Sequence, residues 1–278
     1  MVNDMMPVGP VEPVAPYIGG KRNLAADLVE LIHRTPHATY AEVFVGMGGV
    51  FFRRRLRPRA EVINDFSKDV STLFRILQRH YQQFLDVLKW QVASRAEFER
   101  LMSVDPDTLT DLERAARFLY LQRLAFGGKV SGRSFGVAID RPARFDLTKL
   151  VPMLEEVHDR LAGVLIERLD YKEFLAKYDA AGTLFYLDPP YYGCEGDYGR
   201  ALFSRDEFTL MAAQLAGLRG KFILSLNDHP AVREIFAAFH IRTVETTYTI
   251  GQDGAKAVSE VIITNYAPPV AAEQSALF

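Results

Sequence analysis

Glu42-Val-Phe-Val-Gly46-Met-Gly48-Gly49 is a β-branched and aromatic run that empties into three glycines within four positions. An extended strand that ends in a glycine turn and is followed by a stretch able to start a helix is the joint from which open α/β sheets are built. Glycines there let the backbone approach a ligand closely, and a helix N-terminus favours negative charge. The next strand ends at Ile63-Asn64-Asp65; an acid about twenty residues after such a turn can accept hydrogen bonds from ribose hydroxyls. Position 51 is Phe, so the third glycine of a dinucleotide fingerprint is missing. A plain tight turn also explains the glycines, and a ligand has to be argued from a second motif.

Outward from that joint, short β-branched or aromatic runs alternate with longer helical stretches, which predicts an α/β sheet with helices on its faces. The expected strands are 39–45, 60–64, 164–169, 183–187 and 221–226, with helices starting near Lys21, Gly48, Ser67, Tyr171, Ser204 and Pro230. Ser204-Arg-Asp-Glu207 has the spacing of a capping box. Strands 240–249 and 258–265, joined through Gly251-Gln-Asp-Gly254, read as a hairpin, so a mostly parallel sheet should end in an antiparallel pair. Residues 80–163 break the alternation and read as an inserted, mainly helical domain between two parts of a catalytic domain, 17–79 and 164–266. Pro7, Pro10, Pro13 and Pro16 mark residues 1–16 as an extended, solvated Pro-rich tail, and residues 267–278 as a second tail after Pro268-Pro269.

The 278 residues carry 33 Lys+Arg against 35 Asp+Glu, a net charge of −2, and 49% are apolar. Such a chain builds a substantial core, and disordered and fibrous classes are excluded. The single cysteine, Cys194, rules out an internal disulfide, and Cys and His are too scattered for a structural zinc site. A reducing cytoplasm and a monomer are expected, with no membrane span. The near-neutral total argues against nucleic acid as a partner, but it averages over the chain. Residues 117–149 hold Arg117, Arg123, Lys129, Arg133, Arg141, Arg144 and Lys149 against Asp140 and Asp146, a local balance of +5. Phe126 and Phe135 interleave with glycines there, as in a loop that follows a phosphate backbone and presents an aromatic wedge. A second basic group, Arg53, Arg54, Arg55, Arg57 and Arg59, is explained by a helix C-terminus without any ligand.

The most specific motif is Thr183-Leu-Phe-Tyr-Leu-Asp188-Pro189-Pro190-Tyr191-Tyr192. Two prolines hold a backbone rigid without donating hydrogen bonds, so the Asp188 carboxylate and the Pro189 carbonyl can both face a bound amine. Tyr191 offers a flat surface on which a base can stack.

The order Tyr17-Ile-Gly-Gly-Lys21, Glu42-Val-Phe-Val-Gly46-Met-Gly48, Asn64-Asp65 and Asp188-Pro-Pro-Tyr191 resembles the Dam-like family of DNA adenine-N6 methyltransferases in their alpha arrangement, over about residues 16 to 266. Phe118-Leu-Tyr-Leu-Gln-Arg123 and Ile223-Leu-Ser-Leu-Asn227-Asp228-His229 are similar to further segments of that family. The resemblance implies a Rossmann-like methyltransferase sheet, S-adenosylmethionine as cofactor, double-stranded DNA as partner and residues 80–163 as the target-recognition domain. It implies that Lys21 pairs with the cofactor's carboxylate, that Tyr17 packs on the cofactor, and that Phe44, Gly46 and Gly48 shape the methionine pocket. Asp65 would bind the ribose, Asp170-Tyr171 the cofactor's adenine, and Asp188 would touch both cofactor and target base. Catalysis would fall to Asp188, Pro189, Pro190 and Tyr191, and DNA contact to Arg123, Phe126, Lys129 and Arg133, with Phe126 as the intercalating aromatic. The chemistry calls for no metal.

Gly127 stands where GATC-specific members have Asn, and Ser131 where they have a base-reading Arg, so the resemblance does not extend to that recognition site. The last residues, Gln274-Ser-Ala-Leu277-Phe278, resemble the pentapeptide by which partners hold the bacterial sliding clamp. A methyltransferase acting on RNA adenine stays open on the residues alone. A nicotinamide-dependent oxidoreductase could use the glycine turn and Asp65, but has no use for Asp188-Pro-Pro-Tyr191.

Overall fold

The structure is a computed structural model and describes residues 5–17, 21, 23–136, 142–194, 204–249 and 255–268. The expected Gly251–Gly254 turn, residues 18–20 of the Tyr17–Lys21 motif, Arg141 and the 274–278 pentapeptide lie outside them. Strands β1 (Met6–Pro7) and β3 (Leu56–Arg57) form a small antiparallel pair. The main sheet contains β2 (Thr39–Glu42), β4 (Ala60–Asn64), β5 (Leu165–Glu167), β6 (Thr183–Leu187), β7 (Lys221–Asn227), β8 (His240–Thr249) and β9 (Ala255–Thr264). Its order is β5-β4-β2-β6-β7-β9-β8; the first five strands pair in parallel, while β9 is antiparallel to both β7 and β8. This is the expected Rossmann-like sheet with its antiparallel end.

Side chains alternate along each strand between two apolar layers. Leu184 and Tyr186 of β6 face one layer, and Phe185 and Leu187 the other. All five residues of β6 are buried, as a central strand with helices on both faces demands. One layer holds α7 (Tyr171–Tyr178), α8 (Glu207–Ala216) and α9 (Pro230–Ile235). The other holds α1 (Ala25–Arg34), α2 (Lys68–Arg79), α3 (Tyr81–Leu88), α4 (Arg95–Ser103), α5 (Asp111–Leu124) and α6 (Leu147–Arg160). The buried side chains of 80–163 therefore belong to the same apolar cluster as α1 and the sheet. Helix α5 is buried nearly all round and starts with a capping box, Thr110 with Glu113.

Several local expectations change. No α-helix follows the glycine turn; Phe51–Arg53 is one 3₁₀ turn, because Gly48 sits at φ +73° and turns the chain sharply. Ser204 makes no side-chain cap; α8 begins at Glu207, whose N–H donates to the Ser204 carbonyl at 3.1 Å. The arginine group after the turn is not a helix C-terminus. Arg54 is fully buried against Tyr40 and pairs with Glu61, which also takes two hydrogen bonds from Arg160 at 2.7 and 2.8 Å. Residues 5–16, the described part of the expected 1–16 solvated leader, are extended but packed. Val8 and Val11 donate backbone hydrogen bonds to Arg55 and Phe52, and Val14 and Ala15 are buried.

Candidate active site

Strand β2 pairs with β4 on one side and β6 on the other. Chain connections leave the sheet in opposite directions there, and ligands of open α/β sheets bind in the crevice beyond the strands' carboxyl ends at such a switch point. The glycine turn follows β2 and Asp188 follows β6, so the two sequence motifs meet at this crevice. Gly46 has φ +50°, and a Cβ there would lie 3.0 Å from the Tyr17 ring. Asp65, just past β4, accepts hydrogen bonds from the Gly46 and Ser67 N–H groups, both at 2.9 Å. Burial pushes its carboxyl up to about 6, against the pull of those two amides. Asn64 ties the strand ends together: its amide donates to the Val43 and Leu169 carbonyls and accepts from the Leu169 N–H.

Across the crevice, Lys21 is buried, with its ammonium 3.0 Å from Asp188 Oδ1 and 3.0 Å from Glu260 Oε2. It also donates to the Tyr191 hydroxyl and lies 4.1 Å from the centre of that ring. Ser225 Oγ donates to the same Asp188 oxygen at 3.1 Å and is hydrogen-bonded to Tyr186 at 2.9 Å. Asp188 itself keeps 19% exposure, so its carboxylate edges the crevice. Burial pushes its carboxyl up to about 6; Lys21 pulls it down and Glu260 pushes it up. Pro189 and Pro190 are buried, and Asn227 clamps Tyr192, two residues on, through its N–H (2.9 Å) and C=O (3.0 Å). The corner is thus held from β7 and β9 as well as by its prolines.

Phe44 lies 5.9 Å from the Tyr171 ring, while the Tyr171 hydroxyl donates to Glu207 at 2.7 Å. Asp170 caps α7 by accepting from the Lys172 N–H at 2.9 Å. Tyr17 and Asp65 thus both meet Gly46, Phe44 packs on Tyr171, and Lys21, whose backbone nitrogen is 3.8 Å from where a Cβ on Gly49 would stand, carries its side chain to Asp188 and Tyr191.

The basic stretch forms a hairpin-like loop in which Phe126 N–H donates to Ser134 C=O and Gly136 N–H to Leu124 C=O. Phe126, at the neck of this loop, is 61% exposed, and Lys129, after the turn that Phe126 starts, is exposed too. Arg123 instead donates to the Arg144 and Val14 carbonyls, and Arg133 to Gln122 Oε1 at 3.0 Å. Phe135 packs on Phe98 with ring centres 5.4 Å apart. Gln122, fully buried, donates to Pro16 C=O and Gly128 C=O, which ties the base of this loop to the N-terminal segment that carries Tyr17.

Sequence reasoning missed Glu260 and gave Ser225 no role. An acid between Ser259 and the apolar run Val261-Ile-Ile is the signal for Glu260. Ser225, between two leucines in a buried strand, carries a weaker one.

A parallel sheet with a glycine turn and an Asp-Pro-Pro-Tyr corner on the two sides of its switch point defines the Rossmann-like methyltransferase class. The profile of the D12 class N6 adenine-specific DNA methyltransferases matches residues 17–250, and the chain belongs to that family. It is similar to the type II methyltransferase M1.LlaDCHI of Lactococcus lactis subsp. cremoris, 28% identical over 284 residues, covering 92% of this chain and 96% of that one. It is also similar to the type II methyltransferase M.CviBI of Paramecium bursaria Chlorella virus NC1A, 21% identical over 265 residues, covering 92% and 100%. A solved structure, precorrin 8w decarboxylase of Methanobacterium thermoautotrophicum, aligns over 94% of this chain and 100% of its own with a TM-score of 0.38 and 12% identity, too loose a likeness to bear on function. The protein is thus an N6 adenine-specific DNA methyltransferase. Among the described residues, no helix is long and apolar enough to cross a membrane.

Proposed function

We propose that the protein transfers the methyl group of S-adenosylmethionine to the N6 amine of an adenine swung out of double-stranded DNA into the crevice between β2 and β6. The residues fit that cofactor. The glycine turn approaches closely, as the 3.0 Å Gly46–Tyr17 clearance requires, and Asp65 has a lone pair left on each oxygen for ribose hydroxyls. Tyr17, Phe44, Gly46 and Gly48 would hold the methionine end, with the Asp170-Tyr171 corner at the adenine. The cofactor supplies an electrophilic methyl on a sulfonium.

Lys21 fits a different place from the one the resemblance implies. Its three N–H donors are matched by Asp188, Glu260 and Tyr191, so pairing with a cofactor carboxylate would require it to leave one of them. The arrangement supports a role in holding the Asp188–Tyr191 corner.

An adenine amine is a poor nucleophile because its lone pair is delocalised into the ring. Hydrogen bonds from N6 to Asp188 and to the Pro189 carbonyl pull the nitrogen toward a tetrahedral shape and free the lone pair for in-line attack. Holding both reactants in line removes on the order of 7–11 kcal/mol of barrier. Inside a duplex the amine cannot be reached, so the base must be flipped out, with Tyr191 as its stacking platform. The exposed Phe126 and Lys129 would wedge and hold the DNA, while Arg123 and Arg133 support the loop from behind. On this reading the enzyme works as a monomer in the cytoplasm, and residues 274–278 add a sliding-clamp contact through Gln274, Leu277 and Phe278. Loss of clamp pull-down on deleting 274–278 tests that addition, and equal pull-down refutes it.

The observation that carries the proposal is Asp188, partly exposed just past the carboxyl end of β6, the strand next to the β2 that the glycine turn follows. Unmethylated plasmid DNA and RNA are incubated separately with the protein and S-adenosylmethionine labelled in the methyl group, and the nucleosides are separated. Label in N6-methyldeoxyadenosine at a fixed sequence is expected; label in RNA alone, or in no nucleoside, overturns it.

A further inference from the structure

Lys21 has more counter-charge than pairing requires. A single carboxylate would neutralise a buried ammonium, yet two stand at 3.0 Å from it, Asp188 and Glu260. Glu260 lies on β9 opposite Asn227 of β7, with no exposure, and is followed by the buried Val261, Ile262 and Ile263. An ionised acid is costly in such a strand, and a surplus buried charge adds nothing to stability.

We infer that Glu260 is a positioning residue for methyl transfer: by sharing the Lys21 ammonium, it keeps that charge from neutralising Asp188, whose carboxylate then accepts the hydrogen bond of the reacting amine at full strength. The inference rests on the proposed role of Asp188. Lys21, Asp188 and Glu260 together carry one net negative charge, and with Glu260 uncharged they would carry none. A carboxylate that is fully ion-paired accepts a further hydrogen bond more weakly. Among the described residues, Lys21 ahead of α1, Glu42 on β2, Tyr186 on β6, Tyr191 in the corner and Glu260 on β9 are charged or titratable groups around Asp188, with Ser225 of β7 donating to it. Burial pushes Glu42 up to about 8, so it is neutral at pH 7 and leaves the balance to Lys21 and Glu260. Glu260 also raises the Asp188 carboxyl while Lys21 lowers it. Removing the Glu260 charge should therefore move the acid limb of activity to lower pH even as it slows the reaction.

Single-turnover methyl transfer to DNA is measured from about pH 5 to 9 for the full-length wild type, E260Q and E260D, with cofactor KM and thermal unfolding alongside. The Gln carbonyl still accepts from Lys21, so E260Q removes the charge and keeps the hydrogen bond. E260Q is expected to lose about tenfold or more in rate, with cofactor KM changed less than about threefold and the acid limb about half a pH unit or more lower. E260D keeps the charge and is expected to hold the wild-type limb and recover most of the rate. An acid limb that stays in place in E260Q, or an E260D no better than E260Q, overturns the inference. If E260Q does not fold, E260L takes its place under the same criteria: a lower acid limb with a lowered rate supports the role, and a limb that stays in place refutes it. A wild type that transfers no methyl group to DNA refutes the reading of the site before any variant is compared.

Discussion

Replacing Asp188 with Asn removes one charge and leaves the shape of the side chain. Lys21 Nζ at 3.0 Å and Ser225 Oγ at 3.1 Å both donate to Oδ1, so an Asn at 188 is oriented with its carbonyl oxygen toward them. Its NH2 group then takes the place of Oδ2, the oxygen left for the substrate, and faces the adenine amine with a donor against a donor. Losing a hydrogen bond to a charged group costs about 1.5–3 kcal/mol, and burying an unsatisfied donor about 1–3 kcal/mol more. The sum, about 2.5–6 kcal/mol, corresponds to a loss of roughly 10²–10⁴ in rate. The fold should survive, because Lys21 keeps Glu260 at 3.0 Å. Stability should even rise at neutral pH. Asp188 titrates at about 6 in the fold against an ordinary 3.8, so the fold binds its proton more tightly than the unfolded chain does, and ionising it between those values destabilises the fold. The same group sets the wild-type acid limb: methyl transfer needs the carboxylate and fails as pH falls through about 6. Single-turnover transfer of labelled methyl to DNA, with thermal unfolding as the control, measures all three. D188N within tenfold of wild type, or a D188N acid limb unchanged near 6, refutes the reasoning.

Four further substitutions test the same structure. Gly46→Ala puts a Cβ 3.0 Å from the Tyr17 ring at φ +50°; the left-handed backbone alone costs about 1–2 kcal/mol, and cofactor affinity by calorimetry should fall at least tenfold, whereas unchanged affinity would separate the glycine turn from the cofactor. Glu61→Gln leaves the buried Arg54 and Arg160 without their shared counter-charge and should cost about 3–5 kcal/mol by urea unfolding. Burial alone would raise the Glu61 carboxyl, but Arg160 and Arg54 hold it below its usual range, so wild-type stability should fall on acidification through that range more steeply than the variant's; a loss under 1 kcal/mol by the same urea titration, roughly the size of an exposed pair, would show the triad to be slack. Lys129→Ala should lower the slope of log affinity against log salt by about 0.9 if Lys129 meets a phosphate, and Phe126→Ala should cut base flipping, read with a fluorescent adenine analogue, while leaving that slope alone.

The glycine turn and the Asp188-Pro-Pro-Tyr corner were legible because both depend on backbone chemistry. Glycine at positive φ and paired prolines leave a mark on the chain wherever they occur. Strand β6 was legible in full, since four of its five residues are apolar and the run is bounded. The helix expected after Gly48 did not form, and the Ser204 cap was not made, because a local pattern proposes an element and the surrounding contacts decide it. The Pro-rich residues before Tyr17 were extended as expected, yet their burial was invisible: nothing local says that Val14 and Ala15 will find a groove beside α5.

The sequence by itself determined the class of sheet, its antiparallel end and the two motifs that face each other across it, because strand periodicity and glycine or proline geometry act over a few residues. The tertiary structure alone decided the electrostatics. Lys21, Asp188, Ser225 and Glu260 are separated by up to 239 positions, and the charge each feels depends on distances of about 3 Å that only packing sets. For the same reason Arg54, which reads as one of five bases at a helix C-terminus, became the buried partner of Glu61, and Arg123 and Arg133 turned inward while Phe126 and Lys129 remained outside.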